Sequence, residues 1–233
     1  NAGTGMVAEN VKIEIDDFNK IYNFVKNKHL DLVIVGPEKP LVNGIVDFLE
    51  KKNIKAFGPN QKAAQLEGSK IFTKQICEKY KIPTAKFGIF KNKEETLQFL
   101  KNTKIPIVIK ADGLAAGKGV YICKDRESSI IAVNEIFNGK FGKTDQILVE
   151  EFLEGEEMSY FIISDGYSFK SFNTAQDYKR VGEGDIGKNT GGMGAYSPSS
   201  LINPELESKI INRIIKPTIE AIRQIGEAYR GFL

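Results

Sequence analysis

The sequence has little of several residue types, and these shortages exclude several kinds of site. Its 233 residues include no tryptophan, one histidine and two cysteines. A single histidine excludes a multi-histidine metal site, and two cysteines give neither a disulfide framework nor a cysteine-rich zinc site. Such low cysteine usage is typical of a reducing compartment, so we expect a cytoplasmic protein.

Long apolar runs and a strong charge excess are also lacking. The longest apolar runs have four or five residues, at 32–35 and 105–109, which is too short for a bilayer span or a signal peptide. There are 33 basic and 30 acidic residues, a net charge of +3. This balance argues against a nucleic acid or a membrane as partner.

The first 66 residues alternate between helix and strand patterns. Asp17 can cap a helix, and a second helix is predicted over 41–52. Two short apolar runs, each ended by Gly-Pro, predict buried parallel strands over 32–35 and 54–57. The pattern is that of part of a doubly wound α/β domain.

Glu38 follows the first of these strands and is a candidate substrate residue. Ligands of doubly wound layers bind beyond the C-terminal ends of the strands. A carboxylate at that position can accept hydrogen bonds from hydroxyl groups or an amine. The Gly58-Pro59 pair that ends the second strand is interpreted as a turn.

The rest of the chain predicts α+β structure. A long helix is expected over 61–80, followed by a compact module over 84–149. Beyond it, two alternating strands are joined through Asp165-Gly166, a strong hairpin signal. The remaining elements are helices over 93–102 and 127–137, strands over 105–110, 120–123 and 146–152, and a last helix that starts near Pro204 and is interrupted at Pro217.

The segment 110–119 is suited to bind phosphate. Lys110 ends a buried strand, and the glycines that follow it let backbone N–H groups approach an anion. Lys118 adds a mobile positive charge. The segment is not a Walker A loop, because only three residues separate Gly113 from Gly117 and no Ser or Thr follows the lysine. A flexible β-hairpin turn is the alternative interpretation.

Two polar segments have no single interpretation from composition. The run from Glu150 to Glu157 is either a charged exposed face or a strand end whose backbone binds an adenine edge. The glycine-rich segment 177–196 is either a solvated loop or a mobile basic loop that closes over anionic ligands. The match of residues 182–187 to a dinucleotide fingerprint fails, because no βαβ strand precedes it.

Taken in order, these segments resemble the phosphoribosylamine–glycine ligase (glycinamide ribonucleotide synthetase) family of the ATP-grasp superfamily. The resemblance runs along essentially the whole chain, and the order of the segments is specific to the family. It is carried by Asn1-Ala-Gly-Thr4, Val35-Gly-Pro-Glu38, Phe57-Gly-Pro59, Gln65-Leu-Glu-Gly-Ser-Lys70, Lys110–Gly119, Val149-Glu-Glu-Phe-Leu-Glu-Gly-Glu-Glu157, Gln176-Asp-Tyr-Lys-Arg180 and Asn189-Thr-Gly-Gly-Met-Gly-Ala-Tyr-Ser-Pro198.

The resemblance implies an ATP-dependent ligase of purine biosynthesis. Glycine's carboxylate would attack the γ-phosphate of ATP to give an acyl phosphate, and the amine of 5-phosphoribosylamine would then displace phosphate. ATP and Mg²⁺ or Mn²⁺ are the implied cofactors, and glycine and 5-phosphoribosylamine the implied substrates. The implied domains are a partial N-terminal α/β domain over 1–66 and an ATP-grasp domain over 67–233, with a lid subdomain at about 84–149.

The resemblance also implies a role for individual residues. Lys179 and Arg180 would be catalytic and face the γ-phosphate and the reacting carboxylate. The implied ATP contacts are Lys70 and Lys110 at the phosphates, Gly117, Lys118 and Gly119 in a lid loop, Glu150, Glu151 and Leu153 at adenine, and Glu157 at the ribose. The implied substrate contacts are Glu38, Asp177, Asn189, Thr190, Gly191, Gly192 and Met193.

The two ends of the chain depart from the family pattern. The chain opens at Asn1 without a methionine and closes on an apolar run. Members of the family begin with a strand and a glycine-rich loop before Asn1, and they supply Glu and Asn metal ligands beyond Leu233. We therefore expect a segment of a longer chain that contains no metal ligand and does not catalyse the reaction alone.

Two other functions stay open on the sequence. Another ATP-grasp carboxylate–amine ligase or carboxylase would share the Lys110 loop and the Glu150 hinge, but not the segment 189–198. A non-catalytic nucleotide-binding module would not need the intact set of Lys70, Lys110, Glu157 and Lys179. A kinase is disfavoured, because the chain has neither a Walker A loop nor a His-Arg-Asp loop.

Overall fold

The computed structural model describes residues 3–114, 119–142, 144–184 and 186–233, with the backbone alone at 188 and 189. A small parallel layer at the start of the chain is followed by two four-stranded antiparallel sheets, each with helices against it. This mixed α/β and α+β architecture confirms the predicted fold class.

The N-terminal part is the small parallel layer. Asp17 caps the first helix as predicted, since its carboxylate accepts a hydrogen bond from the Lys20 backbone N–H at 3.0 Å. The single helix predicted over 41–52 is wrong, because Gly44 takes a φ of +87° and separates two short helices. After a 3₁₀ turn at Thr4–Met6, the elements are α1 (Phe18–Asn27), β1 (Val33–Ile34), α2 (Glu38–Val42), α3 (Ile45–Glu50) and β2 (Ala56–Phe57), with β1 and β2 paired in parallel.

The single helix predicted over 61–80 is also wrong. It is divided into α4 (Gln65–Gly68) and α5 (Lys70–Lys79). Ser69 between them has an extended backbone, and its hydroxyl accepts a hydrogen bond from the Phe72 N–H at 3.0 Å. Ser69 is therefore the N-cap of α5, and Lys70 becomes the first residue of a new helix.

The first antiparallel sheet has the strand order β3-β6-β4-β5. Two helices pack on one of its faces, where Ile109, Val133 and Ile147 are fully buried. Both helices begin at a side-chain cap, Asn92 for the first and Asp125 for the second. The sequence analysis predicted no strand at β3 (Phe87–Phe90), and the other elements lie within two residues of their predicted bounds: α6 (Lys93–Asn102), β4 (Ile107–Ala111), β5 (Val120–Cys123), α7 (Arg126–Phe137) and β6 (Ile147–Glu151).

The second antiparallel sheet has the strand order β11-β8-β7-β12. Its central hairpin turns at Asp165-Gly166 as predicted, and the Asp165 carboxylate accepts hydrogen bonds from two backbone N–H groups of the turn. The interpretation of 177–196 as a loop is corrected, because backbone pairing continues through most of it. The strands are β7 (Ser159–Asp165), β8 (Phe169–Asp177), β9 (Arg180–Gly182), β10 (Ile186–Asn189), β11 (Ala195–Tyr196) and β12 (Arg230–Phe232), and β9 pairs with β10 as a separate ribbon.

The last helical segment is continuous but irregular. It consists of α8 (Pro204–Ile210), a π-helical turn (Ile211–Ile215) and α9 (Lys216–Gln224). The predicted interruption at Pro217 falls just before that residue: proline lacks an N–H and its ring crowds the carbonyl four residues back, so the preceding turn widens. Among the described residues, every helix is too short or too polar to cross a bilayer.

Candidate functional site

A cleft of about 720 Å³ lies where α2, α4 and α5 face strands β4 and β6. Four of the predicted site residues come together in it, although they are far apart in the sequence: Glu38, Lys70, Lys110 and Glu150. The other described lining residues are Lys39, Leu66, Glu67, Thr73, Lys74, Gly113 and Leu114.

Strand register puts Lys110 and Glu150 on the same face of the first sheet. Lys110 on β4 pairs with Leu148 on β6, and Glu150 lies two residues further along β6. Side chains two residues apart on a strand share a face, so the two groups are diagonal neighbours. Lys110 Nζ donates to Glu150 Oε2 at 2.9 Å. The opposite face packs on α6 and α7, which leaves this face for the cleft.

Glu150 is shared with a second lysine, Lys74, which the sequence analysis did not identify. Lys74 Nζ lies 3.3 Å from Glu150 Oε1 and donates to Thr84 Oγ1 at 2.5 Å and to the Ala85 carbonyl at 3.4 Å. Its ammonium also lies 5.4 Å from the centre of the Phe87 ring. A buried carboxylate therefore has an ammonium group near each oxygen: Lys110 is hydrogen-bonded to Oε2, and Lys74 forms an ion pair with Oε1 without a hydrogen bond.

Lys70 is held at the start of α5 beside the turn that follows β4. Its Nζ donates to the Gly113 carbonyl at 2.7 Å. Burial lowers the pKa of the Lys70 ammonium, and the nearby Lys110 charge lowers it further, while Asp112 opposes the shift. Because the two ammonium groups repel each other, an anion bound between them would relieve the repulsion.

Asp112 joins the same turn to the beginning of α5. Its carboxylate accepts hydrogen bonds from the Ser69 hydroxyl at 3.0 and 3.1 Å and from the Ile71 N–H at 3.2 Å. These bonds satisfy a free N–H group of the first helical turn. Asp112 thus fixes the position of Lys70 relative to Lys110.

Glu67 adds a second carboxylate to the lining of the cleft, near Glu38. Burial raises the pKa of its carboxyl group, and the neighbouring Glu38 carboxylate raises it further. Two carboxylates near each other favour an ammonium or hydroxyl group between them. Glu67 lies beside Gly68-Ser69 in the sequence, and no pattern there indicated that it faces Glu38.

A second group of predicted residues surrounds Lys179, which lies between β8 and β9. Lys179 Nζ contacts the Glu157 carboxylate and lies 3.8 Å from Asp177 Oδ1. The hydrogen bond to Glu157 raises the pKa of Lys179. The Lys179 carbonyl accepts bonds from the Thr190 N–H at 2.6 Å and from its hydroxyl at 2.8 Å. Within the described chain, none of these four residues lines the 720 Å³ cleft.

The neighbours of this second group are held mainly by the backbone. The Met193 N–H donates to the Tyr178 carbonyl, and the Gly192 N–H donates to the Thr190 hydroxyl. Arg180 begins β9, and its backbone pairs with that of Asn189 on β10. Gly191 and Met193 are exposed.

The remaining predicted residues lie at the edges of the first sheet. Gly119 accepts a backbone hydrogen bond from Ala111 at 2.9 Å, and Gly117 and Lys118 lie outside the described residues. Glu151 is on the face opposite Glu150, where it accepts a bond from the Lys86 N–H. Leu153 is exposed. In the described part of the chain, no three His, Cys, Asp or Glu side chains are grouped as metal ligands.

A match to a family model places the chain in the ATP-grasp class of proteins. A family model for the ATP-grasp (A) domain of phosphoribosylglycinamide synthetase matches residues 68–233, and a model for the N domain of the same enzyme matches residues 1–67. The chain therefore belongs to the phosphoribosylglycinamide synthetase family.

Individual relatives agree with this assignment. The phosphoribosylamine–glycine ligase of Mesorhizobium japonicum is 47% identical over the whole chain, and the chain covers 55% of that protein. A crystal structure of phosphoribosylamine–glycine ligase from Thermotoga maritima is similar over 100% of this chain and 56% of its own, with a TM-score of 0.83 and 33% identity. The chain thus spans about half the length of the relatives it matches.

A more distant structure shows the fold alone. The biotin carboxylase domain of the Hydrogenobacter thermophilus 2-oxoglutarate carboxylase matches 96% of this chain and 49% of its own, with a TM-score of 0.71 and 21% identity. That structure is described as a complex with MgADP, ADP and bicarbonate.

Proposed function

We propose that the protein to which this chain belongs is an ATP-dependent ligase that joins glycine to 5-phosphoribosylamine in purine biosynthesis. The products are glycinamide ribonucleotide, ADP and phosphate. The observation that carries the proposal is the convergence of Lys70 and Lys110 in one cleft, in a chain of this family. The curated relatives that match the whole chain are named for this reaction.

The described residues fit ATP at the cleft. Lys70 and Lys110 supply two ammonium groups for its phosphates. Burial lowers the pKa of Lys70, so a bound anion would stabilise its charged form. We assign Glu150, Glu151 and Leu153 to adenine, Glu157 to the ribose, and Gly117, Lys118 and Gly119 to the phosphates. ATP supplies the phosphoryl group that activates a carboxylate towards an amine. A magnesium ion would accompany it, as in the MgADP complex of the distant carboxylase.

The chain's own residues then act by position and charge. We propose that Lys179 and Arg180 face the γ-phosphate and the glycine carboxylate. Their positive charges would lower the repulsion between these two anions. The raised pKa of Lys179 keeps its ammonium group charged at neutral pH.

The substrates would lie on either side of the phosphates. We assign Glu38 to the phosphoribosylamine, because its carboxylate lies in the cleft near the ends of the parallel strands. The other proposed substrate contacts lie at the end of β8 and in the segment that follows it: Asp177, Asn189, Thr190, Gly191, Gly192 and Met193.

We also propose the domain division and the compartment. Residues 1–66 would form part of the N-terminal domain and 67–233 the ATP-grasp domain, with residues 84–149 as a lid; the two matched family models, 1–67 and 68–233, support the first boundary. The free thiols of Cys77 and Cys123 suit the reducing cytoplasm.

ADP release by the complete protein tests the function. We expect release only when glycine and 5-phosphoribosylamine are both present. If ADP is released with a different acid or amine and not with this pair, the protein has an ATP-grasp site but the proposed substrates are wrong. ATP binding without ADP under any pairing would leave a nucleotide-binding module.

Two matched variants connect the reaction to the cleft. Lys110→Ala removes an ammonium group that we place on the phosphates, so we expect kcat/KM for ATP to fall by about 10²-fold or more. Lys124→Ala removes an exposed lysine just after β5 in the same sheet and should leave ATP use unchanged. Equal kinetics for the two variants would remove Lys110 from the site.

A further inference from the structure

We propose that Lys74 is a positioning residue that keeps Glu150 paired when Lys110 moves from that carboxylate to a phosphate of the bound nucleotide. The proposal rests on the nucleotide site assigned above and adds a role for a side chain that need not touch ATP. Lys74 would act through the Glu150 carboxylate.

The geometry around Lys74 is that of a fixed group. Its ammonium has three oxygen neighbours at 2.5, 3.3 and 3.4 Å, from Thr84, Glu150 and Ala85. These residues lie where the chain enters β3 and where β6 ends, and Phe87 on β3 is paired with Glu150. The Lys74 ammonium group therefore connects α5 to the residues before β3 and to the end of β6, which are the two places where the chain enters and leaves the first sheet.

The exposed fractions of the side chains indicate which of the two lysines, Lys74 or Lys110, can move away from the Glu150 carboxylate. The Lys74 side chain is 10% exposed and Glu150 is 6% exposed, whereas Lys110 is 26% exposed. Lys110 is also the lysine that borders the turn 111–113, next to Lys70. It can exchange Glu150 for another anion in the cleft, while Lys74 remains enclosed.

The energetic reason is the cost of a buried, unpaired carboxylate. Removing one partner of a buried ion pair is strongly destabilising, because the remaining charge is neither hydrated nor compensated. Without Lys74, a move of Lys110 to the phosphate would make Glu150 a buried carboxylate with no compensating charge. With Lys74 present, Glu150 keeps one ammonium neighbour throughout.

A double-mutant cycle on the complete protein tests the proposal, with the dissociation constant of ATP measured by calorimetry. We expect Lys74→Met to raise this constant about tenfold or more, since Glu150 then retains Lys110. In a Glu150→Gln background, where the neutral amide needs no counter-charge, Lys74→Met should change it by less than about twofold. A purely structural role for Lys74 would give the same factor in both backgrounds.

Two further variants keep the cycle decisive. Lys74→Gln retains a donor towards Thr84 without the charge, and it replaces Lys74→Met if the latter does not fold. Thr84→Val removes one hydrogen bond of Lys74 but not its charge, so it should lower stability to urea and leave ATP affinity unchanged.

The outcomes separate this inference from the proposed function. Equal factors in the two backgrounds, or a loss of affinity in Thr84→Val, overturn the role of Lys74 alone. Failure of the unmodified protein to bind ATP overturns both. If ATP binds normally and the double-mutant cycle gives the predicted factors, but glycine is not ligated, the positioning role of Lys74 is supported and the proposed substrates are rejected.

Discussion

Replacing Ser69 by alanine should affect both stability and nucleotide use, because this residue has two roles. Its hydroxyl accepts a hydrogen bond from the Phe72 N–H and donates to the Asp112 carboxylate. Loss of an N-cap side chain costs about 1 kcal/mol. Loss of a hydrogen bond to a charged group costs about 1.5–3 kcal/mol, and Asp112 retains its bond from the Ile71 N–H. We therefore expect Ser69→Ala to lower the free energy of unfolding by about 2.5–4 kcal/mol.

A second helix cap provides the matched control. Asn92 caps α6 by accepting a hydrogen bond from the Glu95 N–H at 2.8 Å, and it does not line the described cleft. Asn92→Ala should cost only the cap, about 1 kcal/mol. Urea titration of the two variants measures the difference between them.

The kinetic result is the more demanding part of this prediction. Lys70 follows Ser69 directly, and Asp112 links α5 to the turn after β4. Ser69→Ala should therefore raise the KM for ATP, while Asn92→Ala should leave it unchanged. Equal losses of stability in the two variants, together with an unchanged KM for ATP, would refute the argument that this junction positions Lys70.

Two other predictions concern charge and packing. Because burial lowers the pKa of Lys70 below the usual value for a lysine, ATP affinity should begin to fall at a lower alkaline pH than an exposed lysine would give. Lys70→Arg, whose guanidinium stays charged, should remove this alkaline fall in a calorimetric pH series. Ile109 is fully buried between the sheet and its helices, so Ile109→Ala should lower the free energy of unfolding by about 2–5 kcal/mol. Ile130→Ala, at a position 45% exposed, should change it by less than about 0.5 kcal/mol; similar urea midpoints for the two alanine variants would contradict the packing.

Local patterns in the sequence predicted much of the fold. Asp17 lies just before an apolar helical periodicity, and it caps that helix. Apolar runs such as 120–123 gave strands with the predicted bounds. These elements depend on neighbours in the sequence, so their signals are local.

The errors in the predicted elements had two causes: a local signal that was given too little weight, and strand pairing that no local pattern shows. Gly68-Ser69 is a typical helix end followed by a typical cap, but apolar periodicity on both sides suggested one helix. In the segment 177–196, many glycines concealed strands that are stabilised by pairing with β8 and with each other. Pairing partners of this kind override intrinsic preference.

The site could be predicted only in part, because some of its contacts depend on residues far apart in the sequence. Lys110 was identified from the glycines beside it. Lys74 lies one helical turn after Lys70, which was a weak signal, and its partner Glu150 is in a distant strand. The opposition of Glu67 and Glu38 likewise appears only when α2 and α4 are brought together.

The neighbouring positions of β3 and β6 have a consequence for protein engineering. The chain enters and leaves the first sheet side by side, with Phe87 opposite Glu150 and the Glu151 N–H donating to the Lys86 carbonyl at 2.9 Å. Residues 87–150 therefore form a removable cassette, and a hairpin turn of about two to five residues could close the gap. The same geometry would allow this cassette to be grafted between homologues through two neighbouring junctions. The contacts of Asp112, Gly113 and Glu150 with α5 and its cap would have to match as well.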